Sequence, residues 1–108
     1  MSVLLEFAMF PTDHGEGKSA YVSRILEMID GSGHPYVLTP MGTVVEFETV
    51  EEALKLVGDA YKQLEPDCNR VYSTLKLDIR KGTVDRLEGK IASVEATLGR
   101  KLSSSSKA

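Results

Sequence analysis

The sequence predicts an α+β fold, in which one antiparallel sheet carries helices on one of its faces. Three observations support this fold class. Segments with strand-like alternation and segments with helical periodicity follow one another in the order strand, helix, two strands, helix, strand. The length of 108 residues suits one hydrophobic core. Apolar residues make up 42% of the chain and charged residues 27%, which is typical of globular domains.

The first part of the chain predicts a strand followed by an amphipathic helix. Residues 3–10 are dense in apolar side chains and end at Pro11, which suits a short strand. The polar, glycine-containing segment 12–18 predicts a loop, and Ser19 is then placed to cap a helix. Apolar residues recur at helical spacing up to Asp30, namely Val22, Ile25, Leu26 and Ile29.

The middle of the chain predicts a hairpin and a second helix. Residues 35–39 and 43–48 are short extended segments, and Pro40-Met41-Gly42 supplies the turn between them. Thr49 and Glu52 match a capping box, and apolar residues then continue at helical spacing until Pro66.

The last part of the chain predicts a two-faced strand and a third helix. Residues 70–80 alternate, with Val71, Ser73, Leu75, Leu77 and Ile79 on one side and Tyr72, Thr74, Lys76, Asp78 and Arg80 on the other. Gly82 and Thr83 open the helix, whose apolar stripe is Leu87, Ile91, Val94 and Leu98. We expect a single domain over residues 1–102 and a disordered polar tail over residues 103–108.

This order of elements is the ferredoxin-like βαββαβ arrangement with an additional C-terminal helix. A four-stranded antiparallel sheet then carries both earlier helices on one face and leaves the other face open. Alternation assigns to the open face a mixture of apolar and charged side chains: Leu4, Glu6, Ala8, Phe10, Val44, Glu46, Tyr72, Thr74, Lys76, Asp78 and Arg80. Such a surface predicts a partner subunit, a ligand, or both.

Charge and cysteine content exclude several classes of protein. The formal net charge of -3 argues against a nucleic-acid binder, because such proteins need an excess of basic side chains. Cys68 is the only cysteine, so an intrachain disulfide is impossible. Residues 1–5 lack a basic leader, and Glu6 interrupts the apolar run, so we expect a cytoplasmic protein without a membrane segment.

Four stretches of the chain, taken in order, carry a resemblance to a known family. They are Met9-Phe10-Pro11, Ser19-Ala20-Tyr21-Val22, Pro40-Met41-Gly42-Thr43 with Glu46, and residues 70–80. Over roughly residues 2–100, the chain resembles the small thiamine-binding proteins, which have a ferredoxin-like fold. The resemblance implies a homo-oligomer, usually a dimer of dimers and thus a homotetramer, that binds thiamine or its hydroxymethylpyrimidine part without converting it. It implies no cofactor. The loop at residues 12–16 departs from the shorter Pro-x-Gly form of many members.

The open face offers the first group of candidate ligand-binding residues. Thr74, Lys76 and Asp78 point the same way on the last strand, and Glu46 approaches from a neighbouring strand. Carboxylates there could accept hydrogen bonds from an aminopyrimidine and offset a thiazolium charge. The alternative is that the charged residues form cross-strand ion pairs, for instance with Glu6.

The hairpin turn and two separate positions complete the candidate set. Met41, Gly42 and Thr43 could bring a thioether and a close backbone against a flat ring, or could serve only the turn. Ser19 could bind a polar ligand group at the helix start, or act as an ordinary cap. Tyr36 could flank a ring on the open face with Tyr72, or lie at the edge of the core.

The remaining reactive residues predict no metal site and no catalysis. His14 and His34 make no spaced metal set with a single cysteine, so we expect surface histidines and an incidental Cys68. From the family resemblance and the mixed open face, the leading hypothesis is a non-enzymatic binding protein, in which a pocket formed by the open face and completed by a neighbouring subunit holds a thiamine-like pyrimidine. The alternatives are an accessory enzyme of cofactor metabolism, in which Asp78 and Lys76 do acid/base chemistry, and a structural or regulatory oligomer whose open face is filled by a second copy.

Overall fold

A computed structural model of the chain describes residues 1–15 and 17–103. Its elements are β1 (Ser2–Pro11), α1 (Ser19–Asp30), β2 (Tyr36–Thr39), β3 (Gly42–Phe47), α2 (Val50–Leu64), β4 (Val71–Arg80) and α3 (Arg86–Leu98). The strands form one sheet in the order β2-β3-β1-β4, with every neighbouring pair antiparallel. The predicted ferredoxin-like βαββαβ fold with an additional helix is confirmed. The predicted disorder of residues 103–108 falls, apart from Ser103, outside the described residues.

The hydrophobic core lies between the sheet and the helices α1 and α2. Every second side chain of β1 faces this core, and β3 adds Val45 and Phe47. The helices contribute Ile25 and Ile29 from α1 and Leu56, Ala60 and Leu64 from α2. Their burial supplies the main driving force for folding, because about 25 cal/mol is gained per Å² of apolar surface removed from water.

The two helix starts on this face differ in how they are capped. Thr49 caps α2, because its hydroxyl accepts a hydrogen bond from the Glu52 N–H at 3.1 Å while the Glu52 carboxylate accepts from the Thr49 N–H. This confirms the predicted capping box. The predicted cap at Ser19 is wrong: Ser19 is already the first residue of α1, the cap position is Lys18, and no side-chain cap bond forms there.

Helix α3 begins on the opposite, open face of the sheet. It begins at Arg86 rather than at Gly82 and Thr83 as the sequence predicts. Its first N–H groups donate to a residue that is distant in the sequence. The carboxylate of Glu46 on β3 accepts hydrogen bonds from the Arg86 and Leu87 N–H groups at 2.9 and 3.0 Å. Those N–H groups have no acceptor within the helix and need one from outside it. One end of the open face is thereby occupied by the protein itself.

Strand β4 forms an edge of the sheet and exposes apolar side chains on the helix side. Leu75, Leu77 and Ile79, which we call the edge stripe, pair in register with buried residues of β1. They nevertheless remain 47%, 39% and 50% exposed, because α2 packs mainly over β1 and β3. Alternation therefore predicted their face correctly but not their exposure. Among the described residues, no helix combines the length and apolar character that a bilayer crossing requires.

Candidate functional site

A cleft of about 250 Å³ opens between α1 and the β2–β3 hairpin, beside the second half of β1. We call it the hairpin cleft. Its lining consists of Phe7, Ala8, Met9 and Phe10 from β1, Val22, Ile25 and Leu26 from α1, and residues 38–43 of the hairpin. Three of the predicted ligand-binding residues, Met41, Gly42 and Thr43, are therefore brought together here.

The hairpin turn holds these three residues by specific local bonds. The Thr39 hydroxyl donates to the Gly42 carbonyl at 2.8 Å and accepts from the Met41 N–H at 3.2 Å. Gly42 has a φ of +155°, and a Cβ at this position would lie only 2.8 Å from the carbonyl oxygen of Phe7. Only glycine lets the hairpin approach β1 this closely. Met41 stands at the rim of the cleft with its side chain 88% exposed.

The wall of the hairpin cleft is suited to a flat, uncharged ring. Among the described residues that line it, every side chain is aliphatic, aromatic, a thioether or a hydroxyl. Thr43 belongs to this lining although only 4% of its surface is exposed, and the exposed thioether of Met41 can close over a ring from the rim. Apolar walls with a few fixed polar groups are the usual composition of small-molecule sites.

The outer edge of the cleft carries aromatic rings and a positive charge. The rings of Phe10 and Tyr72 lie 5.9 Å apart, and the Lys18 ammonium lies 4.8 Å from the centre of the Phe10 ring. A second cation beside Lys18 would be repelled. The positive charge at this edge therefore disfavours a cationic group beside Lys18.

The candidates on β4 are engaged in ion pairs on the open face. The Lys76 ammonium lies 3.0 Å from the Glu6 carboxylate, and the Asp78 carboxylate lies 3.0 Å from the Arg86 guanidinium. Lys76 and Asp78 thus pair with different partners rather than with each other. Lys76 and Asp78 therefore form ion pairs, as the alternative interpretation of the open face predicts. Thr74 is exposed and lies opposite Ala8. Whether any of the three contacts a ligand stays a prediction.

Glu46 is buried, with 8% of its surface exposed, and serves the packing of α3. Besides the two N–H groups of α3, its carboxylate accepts the Ser2 hydroxyl at 2.6 Å. Burial opposes ionisation, but the hydrogen bonds from Ser2, Leu87 and Arg86 outweigh it and hold the pKa of Glu46 below the ordinary value of 4.5. The sequence suggested that the Glu46 carboxylate accepts hydrogen bonds from a ligand, but in the structure it accepts them from Ser2 and from the start of α3.

A second cleft, of about 390 Å³, is lined by several carboxylates. Two of these carboxylates are already hydrogen-bonded at the starts of helices. Glu46 and Glu52 line it together with Glu48 and Asp85, and the ring of His34 packs on Phe47 at 4.5 Å. Glu46 accepts hydrogen bonds from the first N–H groups of α3, and Glu52 completes the capping box of α2, so we regard the hairpin cleft as the better candidate site.

Tyr36 and Ser19 lie away from the lining of the hairpin cleft. The placement of Tyr36 on the open face is wrong: it pairs with Val45, so its ring lies on the helix side, and its hydroxyl donates to Asp30 at 2.6 Å. A four-residue strand carries too short an alternation to reveal its face from sequence. Ser19 is exposed at the start of α1 and is not among the residues that line the cleft.

Three potential metal ligands that the sequence treated separately come together near the start of β4. Asp13, His14 and Cys68 bring one ligand atom each to within 4.8 Å of one another. Cys68 is buried, and burial, reinforced by Asp67 and Asp13, raises the pKa of its thiol. More than fifty residues separate Cys68 from the other two, so no motif spacing could have indicated the cluster.

Comparison with protein families matches residues 5–95 to the family described as "Thiamine-binding protein". This range includes the whole lining of the hairpin cleft. A UPF0045 protein of Mycobacterium bovis is 34% identical over 98 residues, which cover 91% of this chain and 96% of the relative. A UPF0045 protein of Methanocaldococcus jannaschii is 30% identical over 92 residues, covering 85% and 91%.

Solved structures share the fold. The crystal structure of the Methanocaldococcus jannaschii protein, described as hypothetical, superposes with a TM-score of 0.76 at 30% identity and covers 86% of this chain and 95% of its own. A Thermotoga maritima protein described as a candidate for thiamine biosynthesis or salvage superposes with a TM-score of 0.75 at 24% identity, covering 87% and 99%.

Proposed function

Because this chain belongs to the thiamine-binding protein family, we propose that it binds thiamine or its hydroxymethylpyrimidine part in the hairpin cleft, without converting it. One observation supports the choice of the hairpin cleft as the binding site. Of the four stretches that carry the family resemblance, three contribute to the lining of this one cleft: Met9 and Phe10, Val22, and residues 40–43. Stretches far apart in the chain thus converge on a concave, apolar surface, which is where small ligands bind.

The pyrimidine half of the ligand suits the cleft better than the thiazolium half. A flat aromatic ring gains from apolar walls and from a thioether contact, which Met41 can supply. The hydroxyl of Thr43, which belongs to the lining, can hydrogen-bond to an aminopyrimidine. In this arrangement the thiazolium cation stays at the mouth of the cleft, away from Lys18 and in water.

Binding without conversion is supported by the chemistry of the lining. General acid/base catalysis needs an ionisable side chain within hydrogen-bonding reach of the reacting group. The described lining carries thioethers, hydroxyls and hydrocarbon, and the ion pairs of Lys76 and Asp78 are not part of it. We place this binding in the cytoplasm, where a free thiol such as Cys68 stays reduced.

Calorimetric titration with thiamine and with hydroxymethylpyrimidine tests the proposal. We expect both to bind, with most of the affinity retained by the pyrimidine alone. The proposal fails if neither ligand binds more tightly than millimolar. Mass spectrometry of the ligand after incubation with the protein tests the absence of conversion, and a mass change would favour the accessory enzyme instead.

Replacing Met41 by alanine is expected to weaken binding by up to about tenfold, since a sulfur–aromatic contact contributes roughly 0.3–1.5 kcal/mol. Stability should change by less than about 0.5 kcal/mol, because the side chain is almost fully exposed. Titration of the Met41→Ala protein measures the effect. Leu54→Ala is the matched control, because Leu54 is also exposed but lies on α2. Equal affinities of the two variants would count against the hairpin cleft.

We also propose that the chain assembles into a homo-oligomer through β4, and two features support this. The edge stripe is an exposed apolar surface on the helix side, and the outer edge of this ten-residue strand has no neighbouring strand among the residues that the structure describes. Unpaired edge strands readily add a strand from another chain. A dimer of dimers, as the family resemblance implies, would need one further contact, for which the open face is available.

Replacing Leu77 by lysine in the edge stripe is expected to reduce the oligomer to a smaller species or to monomers. A charge placed in a contact between apolar side chains must be desolvated without a partner. Light scattering coupled to size-exclusion chromatography measures the mass in solution. Leu54→Lys introduces the same charge on α2 and should leave the mass unchanged. An unaltered mass for Leu77→Lys would exclude β4 as the contact.

A further inference from the structure

Asp13, His14 and Cys68 gather an oxygen, a nitrogen and a sulfur ligand where the loop after β1 meets the loop before β4. The three ligand atoms lie within 4.8 Å of one another, and His14 Nε2 lies 3.9 Å from Asp13 Oδ1. None of the three residues lines the hairpin cleft. The cluster is therefore separate from the site of the proposed function.

The two loops are tied together by hydrogen bonds that hold the ligands in place. The Thr12 N–H donates to the Arg70 carbonyl at 2.9 Å, and the Asn69 N–H donates to Asp13 Oδ2 at 2.6 Å. The second bond leaves Oδ1 of Asp13 facing the cluster. Ligands on loops that are already joined lose little entropy when an ion binds, so the affinity for the ion is higher.

The hydrogen bonds of His14 provide it with an orienting partner. Nε2 must carry the proton, because it donates to the Asp67 carbonyl at 2.7 Å, and Nδ1 accepts from the Tyr21 hydroxyl at 3.0 Å. If Nε2 binds a cation, its hydrogen bond to the Asp67 carbonyl is broken and its proton passes to solvent, while Nδ1 takes up a proton and donates it to the Tyr21 oxygen. Metal-bound histidines usually donate their other N–H in this way, which fixes the ring.

We propose that Asp13, His14 and Cys68 form a binding site for a divalent cation of the zinc type. A mixed set of thiolate, imidazole and carboxylate favours zinc and cobalt over magnesium and calcium, which prefer oxygen ligands alone. The thiol proton of Cys68 passes to solvent when the cation binds, and a water molecule takes the fourth position.

The donor atoms need only a small contraction to reach coordination distances. Tetrahedral zinc with bonds of about 2.0–2.3 Å separates its donor atoms by roughly 3.3–3.6 Å. The side chains of Asp13 and His14 lie on a loop and can rotate towards the buried Cys68 by about this difference. The bound ion would also neutralise part of the negative charge of Asp13 and the thiolate, and would cross-link the two loops.

Cobalt(II) is the probe, because a thiolate ligand gives it a strong near-ultraviolet charge-transfer absorption. We expect this absorption in the reduced wild-type protein at one ion per chain, and its loss when zinc is added in excess. Cys68→Ser and His14→Ala should abolish or strongly weaken it. His34→Ala, which removes the other histidine, should leave it unchanged.

The wild-type spectrum reports on Cys68 directly, because Cys68 is the only cysteine and the only source of a thiolate signal. The proposal is overturned if the wild type shows no such absorption, or if the absorption persists unchanged after His14→Ala. As a second measurement, zinc should raise the midpoint of thermal unfolding of the wild type and not of Cys68→Ser. An equal rise in both proteins contradicts the site. Neither result bears on the proposed ligand binding at the hairpin cleft, which is tested separately by titration.

Discussion

Replacing Gly42 by alanine is expected to lower the free energy of unfolding by about 2–4 kcal/mol. The added Cβ would lie 2.8 Å from the backbone carbonyl oxygen of Phe7, and the φ of +155° is one that side-chain-bearing residues rarely adopt. Because the clashing atom belongs to the backbone of a central strand, the hairpin must move away. The same movement displaces Met41 and Thr43, so ligand binding at the hairpin cleft should be lost or reduced more than tenfold.

Urea unfolding measures the change in stability, and titration of the folded variant measures the loss of binding. Gly58→Ala is the matched control: Gly58 lies within α2, and an added Cβ there meets no atom within 4 Å. This control should raise the stability by up to about 1 kcal/mol, because alanine favours a helix. If Gly42→Ala behaved like Gly58→Ala, the close approach of the hairpin to β1 would not exist in solution.

Replacing Glu46 by alanine is expected to cost about 2–4 kcal/mol and to release α3 from the sheet. The substitution leaves the first N–H groups of α3 without an acceptor and removes the partner of the Ser2 hydroxyl. It also removes the negative charge near Arg86, whose side chain is only 13% exposed. Hydrogen exchange of residues 86–98 and urea unfolding measure the release.

Glu48→Ala is the control, since Glu48 carries the same charge two positions later and is exposed. Its exchange and stability should match those of the wild type.

The wild type should itself lose stability in acid. The pKa of Glu46 is lowered in the folded state, so its carboxylate stabilises the fold at pH values above the ordinary pKa of 4.5. This stabilisation is lost as the pH falls below 4.5 and the carboxylate becomes protonated. Glu46→Gln should remove this part of the pH dependence, and an unchanged profile would show that Glu46 does not bind α3 as a carboxylate.

Local patterns were sufficient to predict the order and type of the elements. The alternation of residues 70–80 assigns each side chain of β4 to the correct face, because the strand period is strict and the strand is long. The capping box at Thr49 and Glu52 places the start of α2 for a similar reason, since both partners lie within one helical turn.

Features that depend on distant contacts could not be predicted in the same way. The start of α3 depends on Glu46, forty residues earlier, so the local signals at Gly82 and Thr83 pointed to the wrong place. The cluster of Asp13, His14 and Cys68 exists only because two loops are hydrogen-bonded. Of the candidate ligand-binding residues, the hairpin turn was predicted as a unit because its three members are adjacent in the chain.

The alternation of β4 also determines how two copies of this strand can align. If they pair antiparallel about a two-fold axis through Leu77, Lys76 faces Asp78 of the partner subunit, and Leu75 faces Ile79 of the partner subunit. Moving the axis to Lys76 or to Asp78 places like charges opposite each other, which is destabilising. In such a pairing, the charges of Lys76 and Asp78 would favour the symmetric alignment about Leu77 over its two nearest neighbours.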